Sequence, residues 1–152
     1  MTKTWGPCTW ILFHTLAEKL NDQHDNIENI TMLIKLIKYI CSNLPCPDCQ
    51  QHAIQQLGSL KEHMIKNKSD LKNVLNSFHN IVNGRLNKPI ISMAECHEKY
   101  SLAKTEAVIG YFIQIWSRKS HNPKMMTEEL HKERLVVWFR KWWNDKHMLF
   151  NV

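Results

Sequence analysis

Residues 27–49 read IENITMLIKLIKYICSNLPCPDC, and this stretch decides the class of fold. Ile30, Leu33, Ile34, Ile37, Cys41 and Leu44 recur at three-, four- and seven-residue steps. That spacing places side chains on one face of an α-helix. Pro45 and Pro47 stop the helix, because proline lacks an amide hydrogen and its ring clashes with the preceding turn. A second helix is predicted to start at Pro47, where proline suits a first turn, and to run to about Leu57, with Gly58 ending it.

Working outward, the helical period persists. Residues 8–20 carry Trp10, Phe13, Ala17 and Leu20 at helical spacing. Residues 61–69 are polar and read as a loop or a frayed helix. Ser69 or Asp70 is expected to cap a further helix, with Leu71, Val74, Leu75, Phe78 and Val82 as its apolar stripe, ending between Gly84 and Pro89. Another helix is predicted from Ser92 through Tyr111 to Trp116, with a break near Gly110. Asn122-Pro123 marks a turn. A last helix begins at Thr127, with Leu130, Leu135, Trp138, Phe139, Trp142 and Trp143 on or near its apolar side. Pro89-Ile90-Ile91 is too short to assign by period. The reading is an all-α bundle, with residues 1–100 as its core and residues 101–152 as a C-terminal helical extension.

Composition agrees. A chain of 152 residues that is 43% hydrophobic buries one core. Only 4 glycines and 5 prolines argue against a turn-dense β architecture. No run of 18 apolar residues predicts a membrane span, and the first eight residues lack the basic-then-apolar pattern of a secretory or transit signal. The formal charge of +6, from 20 Lys+Arg and 14 Asp+Glu, is spread along the chain. It reads as solvated helix faces, with some attraction for an anionic cofactor or substrate.

Five cysteines, Cys8, Cys41, Cys46, Cys49 and Cys96, exclude a closed set of internal disulfides. Cys46-Pro47-Asp48-Cys49 is the one C-x-x-C. At a helix start this spacing brings two sulfurs within reach of each other, beside free N–H groups that favour a thiolate. Cys46 would sit at the cap, more exposed, and Cys49 would point into the bundle. One accessible sulfur and one sheltered sulfur suit thiol–disulfide exchange. A zinc site is the competing reading: Cys41, Cys46, Cys49 and His52 form C-x4-C-x2-C-x2-H, which Cys96 and His97 could complete. Spacing alone weighs the two equally. A thioredoxin fold is disfavoured, because no βαβ pattern surrounds the motif.

Two polar sets flank the apolar stripes. Asn76, His79 and Asn83 share a narrow helical arc, with Asn80 beside them, and Trp10 and His14 stand four residues apart. Such groups satisfy one another at a core border, or they surround a planar ligand.

Three segments together resemble the Erv/ALR family of FAD-dependent sulfhydryl oxidases. Trp5-Gly6-Pro7-Cys8-Thr9-Trp10-Ile11-Leu12-Phe13-His14-Thr15-Leu16-Ala17 resembles the family's G-R-x-x-W-x-x-L-H-T-x-A. Leu44-Pro45-Cys46-Pro47-Asp48-Cys49-Gln50-Gln51-His52 resembles Y-P-C-x-x-C with a trailing histidine. His79-Asn80-Ile81-Val82-Asn83-Gly84-Arg85-Leu86-Asn87-Lys88-Pro89 resembles H-N-x-V-N-x-x-L-x-K-P, the most specific of the three. Lys99-Tyr100 stands where a basic residue and an aromatic often follow. The similarity spans residues 5 to 100 and favours redox over zinc.

The resemblance implies a four-helix bundle with a short fifth helix, holding FAD at its mouth, in a homodimer. It implies Cys49 as the flavin-proximal sulfur and Cys46 as the sulfur that substrate thiols attack. Gly6, Thr9, Trp10, His14, His79, Asn80, Val82, Asn83 and Lys88 fall on family FAD positions, and Asn76, Lys99 and Tyr100 on matching ones. Electrons would pass from protein thiols, directly or through a thioredoxin-like relay protein, to FAD and then to molecular oxygen, giving hydrogen peroxide. Neither a membrane nor nucleic acid is an expected partner, although the run from Trp138 to Trp143 offers a basic aromatic surface. Asn-, Lys- and Ile-rich usage resembles viral members, which would act in host cytoplasm or the virion. Three departures stand out. Pro7 replaces an arginine, Met93 replaces the first cysteine of a structural disulfide, and no second cysteine pair exists to act as an internal shuttle. Residues 101–152 match nothing in the family's minimal domain. Their four tryptophans suit either an added helical layer or an interface.

Overall fold

Leu12, Phe13, His14, Thr15, Leu16, Ala17 and Glu18 are seven consecutive buried residues, so the helix that carries them is enclosed on every side. This is α1 (Trp5–Lys19) of a computed structural model that describes residues 4–119 and 126–152. Around it stand α2 (Ile27–Cys41), α3 (Pro47–Gly58), α4 (Lys68–Arg85), α5 (Met93–Ser101), α6 (Thr105–Trp116) and α7 (Met126–Lys146). The fold is all-α. The described residues contain no strand, only an isolated antiparallel bridge between Leu20 and Phe150. The turn expected at Asn122-Pro123 lies outside the described residues.

Each helix starts where local chemistry allows it. Asn26, Asn67 and Ser92 cap α2, α4 and α5, their side-chain oxygens accepting from the N–H of Asn29, Asp70 and Glu95. The cap of α4 is therefore Asn67 rather than Ser69 or Asp70. Asp70 sits one turn in, and its carboxylate accepts the Lys66 N–H at 3.0 Å. The same helix ends at Asn87, in the left-handed region with φ 56°. The Lys88 N–H reaches the Asn83 carbonyl at 2.8 Å and the Asn87 N–H reaches that of Gly84 at 3.3 Å, the paired closure of a helix that stops at an αL residue.

Two boundaries differ from the sequence expectation. The segment from Ser92 to Trp116 breaks at 102–104, not at Gly110. Gly110 is exposed and helical, whereas α6 begins at Thr105, whose buried hydroxyl donates to the Asn151 carbonyl at 2.6 Å. Gly58 remains inside α3, and Ser59 follows as its C-cap.

On α2, Leu36 and Ile40 are buried as well as the predicted stripe. Trp138 and Trp142 of α7 share a groove with Leu36, Met32 and Tyr39, and the Trp138 ring lies 4.4 Å from that of Tyr39. α6 packs along α1, and one hydrophobic cluster runs from Cys8 through Phe112, Trp116, Leu135 and Phe139 to Phe150. Chain positions 19–21 and 149–151 are tied by the Asn21 N–H to Leu149 carbonyl bond at 2.9 Å and the Asn151 N–H to Lys19 carbonyl bond at 2.7 Å.

Candidate active site

Cys46 is the N-cap of α3, with extended backbone at φ −151°, and Pro47 follows in the first turn. The Cys49 N–H donates to the Cys46 sulfur at 3.3 Å, so a helix-start N–H is directed at that sulfur. Gln50 pins the approach to the motif by donating its side-chain amide to the Leu44 carbonyl at 2.6 Å. Both sulfur residues are half-buried. Cys49 forms part of the wall of a cavity of about 450 Å³, and Cys46 does not.

That cavity opens where four helices converge. The first turns of α1, the end of α2, the start of α3 and the second half of α4 form it, closed by the loop after α4 and by Tyr100 of α5. Its surface is mainly apolar, with Trp10, Phe78 and Val82 among the wall residues, and Arg85, Lys88 and Lys99 add three cations. Burial pushes the Cys49 thiol up to about 12, helped by the neighbouring Cys46 and opposed by the positive charge of Arg85. Cys41 also borders the cavity but belongs to the core. Burial raises its thiol to about 12, as it does for Cys8.

An aromatic stack drawn from three helices runs inward from the wall, with Trp10, His79 and Tyr100 bordering the cavity and His14 behind them. Trp10 stacks on His79 at 4.1 Å between centroids and 7° between planes, and His14 stacks on Tyr100 at 4.8 Å. His14 Nε2 and His79 Nδ1 are 2.8 Å apart. Such a bond needs one ring to donate and the other to accept, so the two rings cannot both be protonated. Burial lowers His14 to about 3, with His79 and Lys99 adding repulsion. Burial lowers His79 to about 4, aided by Lys99 and Lys88. Groups with depressed folded values stabilise the fold above their unfolded value of 6.5 and lose that contribution as pH falls. Thermal unfolding is thus expected to move to lower temperature between pH 6.5 and about 4, and His79→Gln should flatten that slope.

The sequence-predicted residues divide into two sets. Gly6, Thr9, Trp10, His79, Val82, Asn83, Lys88, Lys99 and Tyr100 border the cavity with Cys49. His14, Asn76 and Asn80 do not. Asn80 instead holds Ile91 twice, accepting its N–H and donating to its carbonyl, both at 2.8 Å, and Asn76 donates to the same carbonyl at 2.9 Å. These amides fix the loop that carries Lys88. Sequence reasoning passed over Arg85 and Phe78. Both follow from Val82 at helical steps of three and four, so the period of α4 could have found them.

The zinc alternative finds no support. No three His, Cys, Asp or Glu side chains converge on a metal position among the described residues. His52 instead stands exposed at the cavity wall. Nor does the run from Trp138 to Trp143 present one surface: Phe139 and Trp142 are buried, Trp143 is half-buried and Trp138 packs on Tyr39.

A helical bundle with one sulfur of a dithiol on the wall of a ligand-sized apolar cavity defines a class of redox protein. Comparison with known proteins narrows it. A sequence model of the Erv1 / Alr family matches residues 7–101, and the chain belongs to that family. An FAD-linked sulfhydryl oxidase of African swine fever virus (isolate Warthog/Namibia/Wart80/1980) is 34% identical over 119 residues, covering 74% of this chain and 96% of the relative. The protein of the same name from isolate Tick/Malawi/Lil 20-1/1983 is 33% identical over 116 residues, with the same coverage. Protein 096R of Invertebrate iridescent virus 3 is 31% identical over 99 residues, covering 64% of this chain and 66% of that protein. These relatives come from large DNA viruses. No solved structure matches.

Proposed function

We propose that the chain is an FAD-dependent thiol oxidase that makes disulfides in protein substrates. The observation that carries this reading is the placement of Cys49 on the cavity wall while Cys46 caps α3 beside it. The cavity suits FAD. Its walls are aromatic and apolar where a flat ring system would lie, and its cations match a diphosphate. Trp10, His79, Val82, Asn83, Lys88, Lys99 and Tyr100 would hold the cofactor, and Arg85 supplies a cation that Pro7 cannot. When bound, FAD accepts two electrons from the dithiol and returns them to molecular oxygen, giving hydrogen peroxide.

The chain's own residues perform the exchange. A substrate thiolate attacks the Cys46 sulfur of the Cys46–Cys49 disulfide, and Cys49 leaves as a thiolate. The second substrate thiolate displaces Cys46, which completes the substrate disulfide and leaves both cysteines reduced. Their two electrons leave at Cys49, and the Cys46–Cys49 bond closes again. Asn76 and Asn80 keep the Lys88 loop in place, and the buried His14–His79 pair, its titration pushed down by burial, adds no charge beside the cavity at neutral pH.

Residues 1–100 act as the catalytic core in this reading, and 101–152 as a layer upon it. In this reading the dithiol oxidises partner proteins directly or through a thioredoxin-like relay. A homodimer in host cytoplasm or the virion completes it. Among the described residues, no helix is long and apolar enough to cross a membrane. The absorption spectrum of the purified protein tests the reading. Flavin bands should bleach under anaerobic dithiothreitol and return with air, whereas a colourless protein would sink it.

A further inference from the structure

α1 begins without the usual helix cap. Thr4, before it, is already helical, makes no side-chain capping bond, and no acidic residue lies in the first turn. Gly6 lowers the helix preference of that turn further. Yet the same turn is part of the cavity wall, through Trp5, Gly6 and Thr9. A helix end lacking local capping depends on tertiary contacts to hold its shape.

One such contact comes from beyond the family-matched stretch. Trp116, at the end of α6 and only 1% exposed, donates its indole N–H to the Thr9 hydroxyl oxygen at 3.0 Å. Thr9 donates in turn to the Trp5 carbonyl at 2.5 Å, and the Cys8 thiol adds a weaker bond to the same carbonyl at 3.3 Å. Indole nitrogen can only donate, so the chain has one direction: Trp116 to Thr9 to Trp5. Hydrogen bonds in series polarise and strengthen one another. Trp116 does not border the cavity, so its influence there passes through Thr9.

We propose that Trp116 is a positioning residue for the cofactor cavity, its indole N–H setting the first turn of α1 through Thr9. FAD affinity then depends on a side chain of the C-terminal layer. This rests on the FAD reading above. The test uses the full-length holoenzyme. FAD affinity is measured by equilibrium dialysis, beside a far-UV thermal melt, for the native protein, Trp116→Phe, Thr9→Val, the double variant and Thr9→Ser. Phenylalanine keeps a ring in the core and removes the donor. Each of Trp116→Phe and Thr9→Val should weaken FAD binding about fivefold or more, the ratio expected for one lost buried hydrogen bond. The double variant should bind no worse than the weaker single, since the Trp116–Thr9 bond is lost in both and Thr9→Val already removes the Thr9–Trp5 bond as well. Thr9→Ser, which keeps the hydroxyl, should bind FAD more tightly than Thr9→Val does. Native affinity in Trp116→Phe, or losses that multiply in the double variant, would overturn the proposal. Should Trp116→Phe fail to fold, equal affinities for Thr9→Val and Thr9→Ser would overturn it. A native chain that bound no FAD would instead defeat the oxidase reading itself.

Discussion

Replacing Cys49 by serine should lower dithiothreitol oxidation by on the order of a thousandfold or more, while the purified protein stays yellow. Serine keeps the shape of the side chain but forms no disulfide, so electrons lose their way into the cavity. The cofactor should stay, because the wall residues Trp10, Phe78 and Val82 and the cations Lys88 and Lys99 are untouched. Cys49 is half-buried, so the fold loses little. Turnover assays with dithiothreitol and an absorption scan on one preparation decide the matter. Native turnover in Cys49→Ser would show that electrons enter elsewhere.

Phe139→Ala should produce a large loss of stability. The ring has no solvent exposure and packs edge-on against Phe112 at 4.8 Å, with Trp142 stacked at 5.7 Å. Removing a buried aromatic costs about 3–5 kcal/mol through lost contacts and the void left behind. For a chain of this size that lowers the unfolding midpoint by roughly 6–20 °C. Flavin release and loss of far-UV signal should shift together, because one apolar cluster joins α6 and α7 to α1. Two separate transitions would show that the outer helices melt alone.

Periodicity revealed α2 at once, because one of its faces is apolar over four turns. It described α1 poorly: a helix buried all round has no polar face to mark its period. The break before Thr105 was hidden because the bond made there goes to Asn151, a partner 46 residues away. Gly110 misled for the complementary reason: glycine signals a break only where the backbone needs its freedom, and here the helix continues. At the site, C-x-x-C and the arc that His79 and Asn83 share with Asn76 stand out in the sequence, since chemistry that needs adjacent groups leaves a local trace. Asn76 and Asn80 carried the same trace, yet the structure sends their amides to Ile91. Which atom an amide satisfies depends on the neighbouring loop, and spacing along one helix does not record that loop.

The backbone bridge between Leu20 and Phe150 has a consequence for biosynthesis. α1 emerges from the ribosome well before its partners at 116 and at 149–151. Contacts separated by more than a hundred residues form slowly, since the chain must close a long loop before they are gained. A nascent chain halted after Ser101 would thus bear the whole dithiol motif beside an unsupported first helix, and capture of its cofactor would wait for the segment from Trp116 to Asn151.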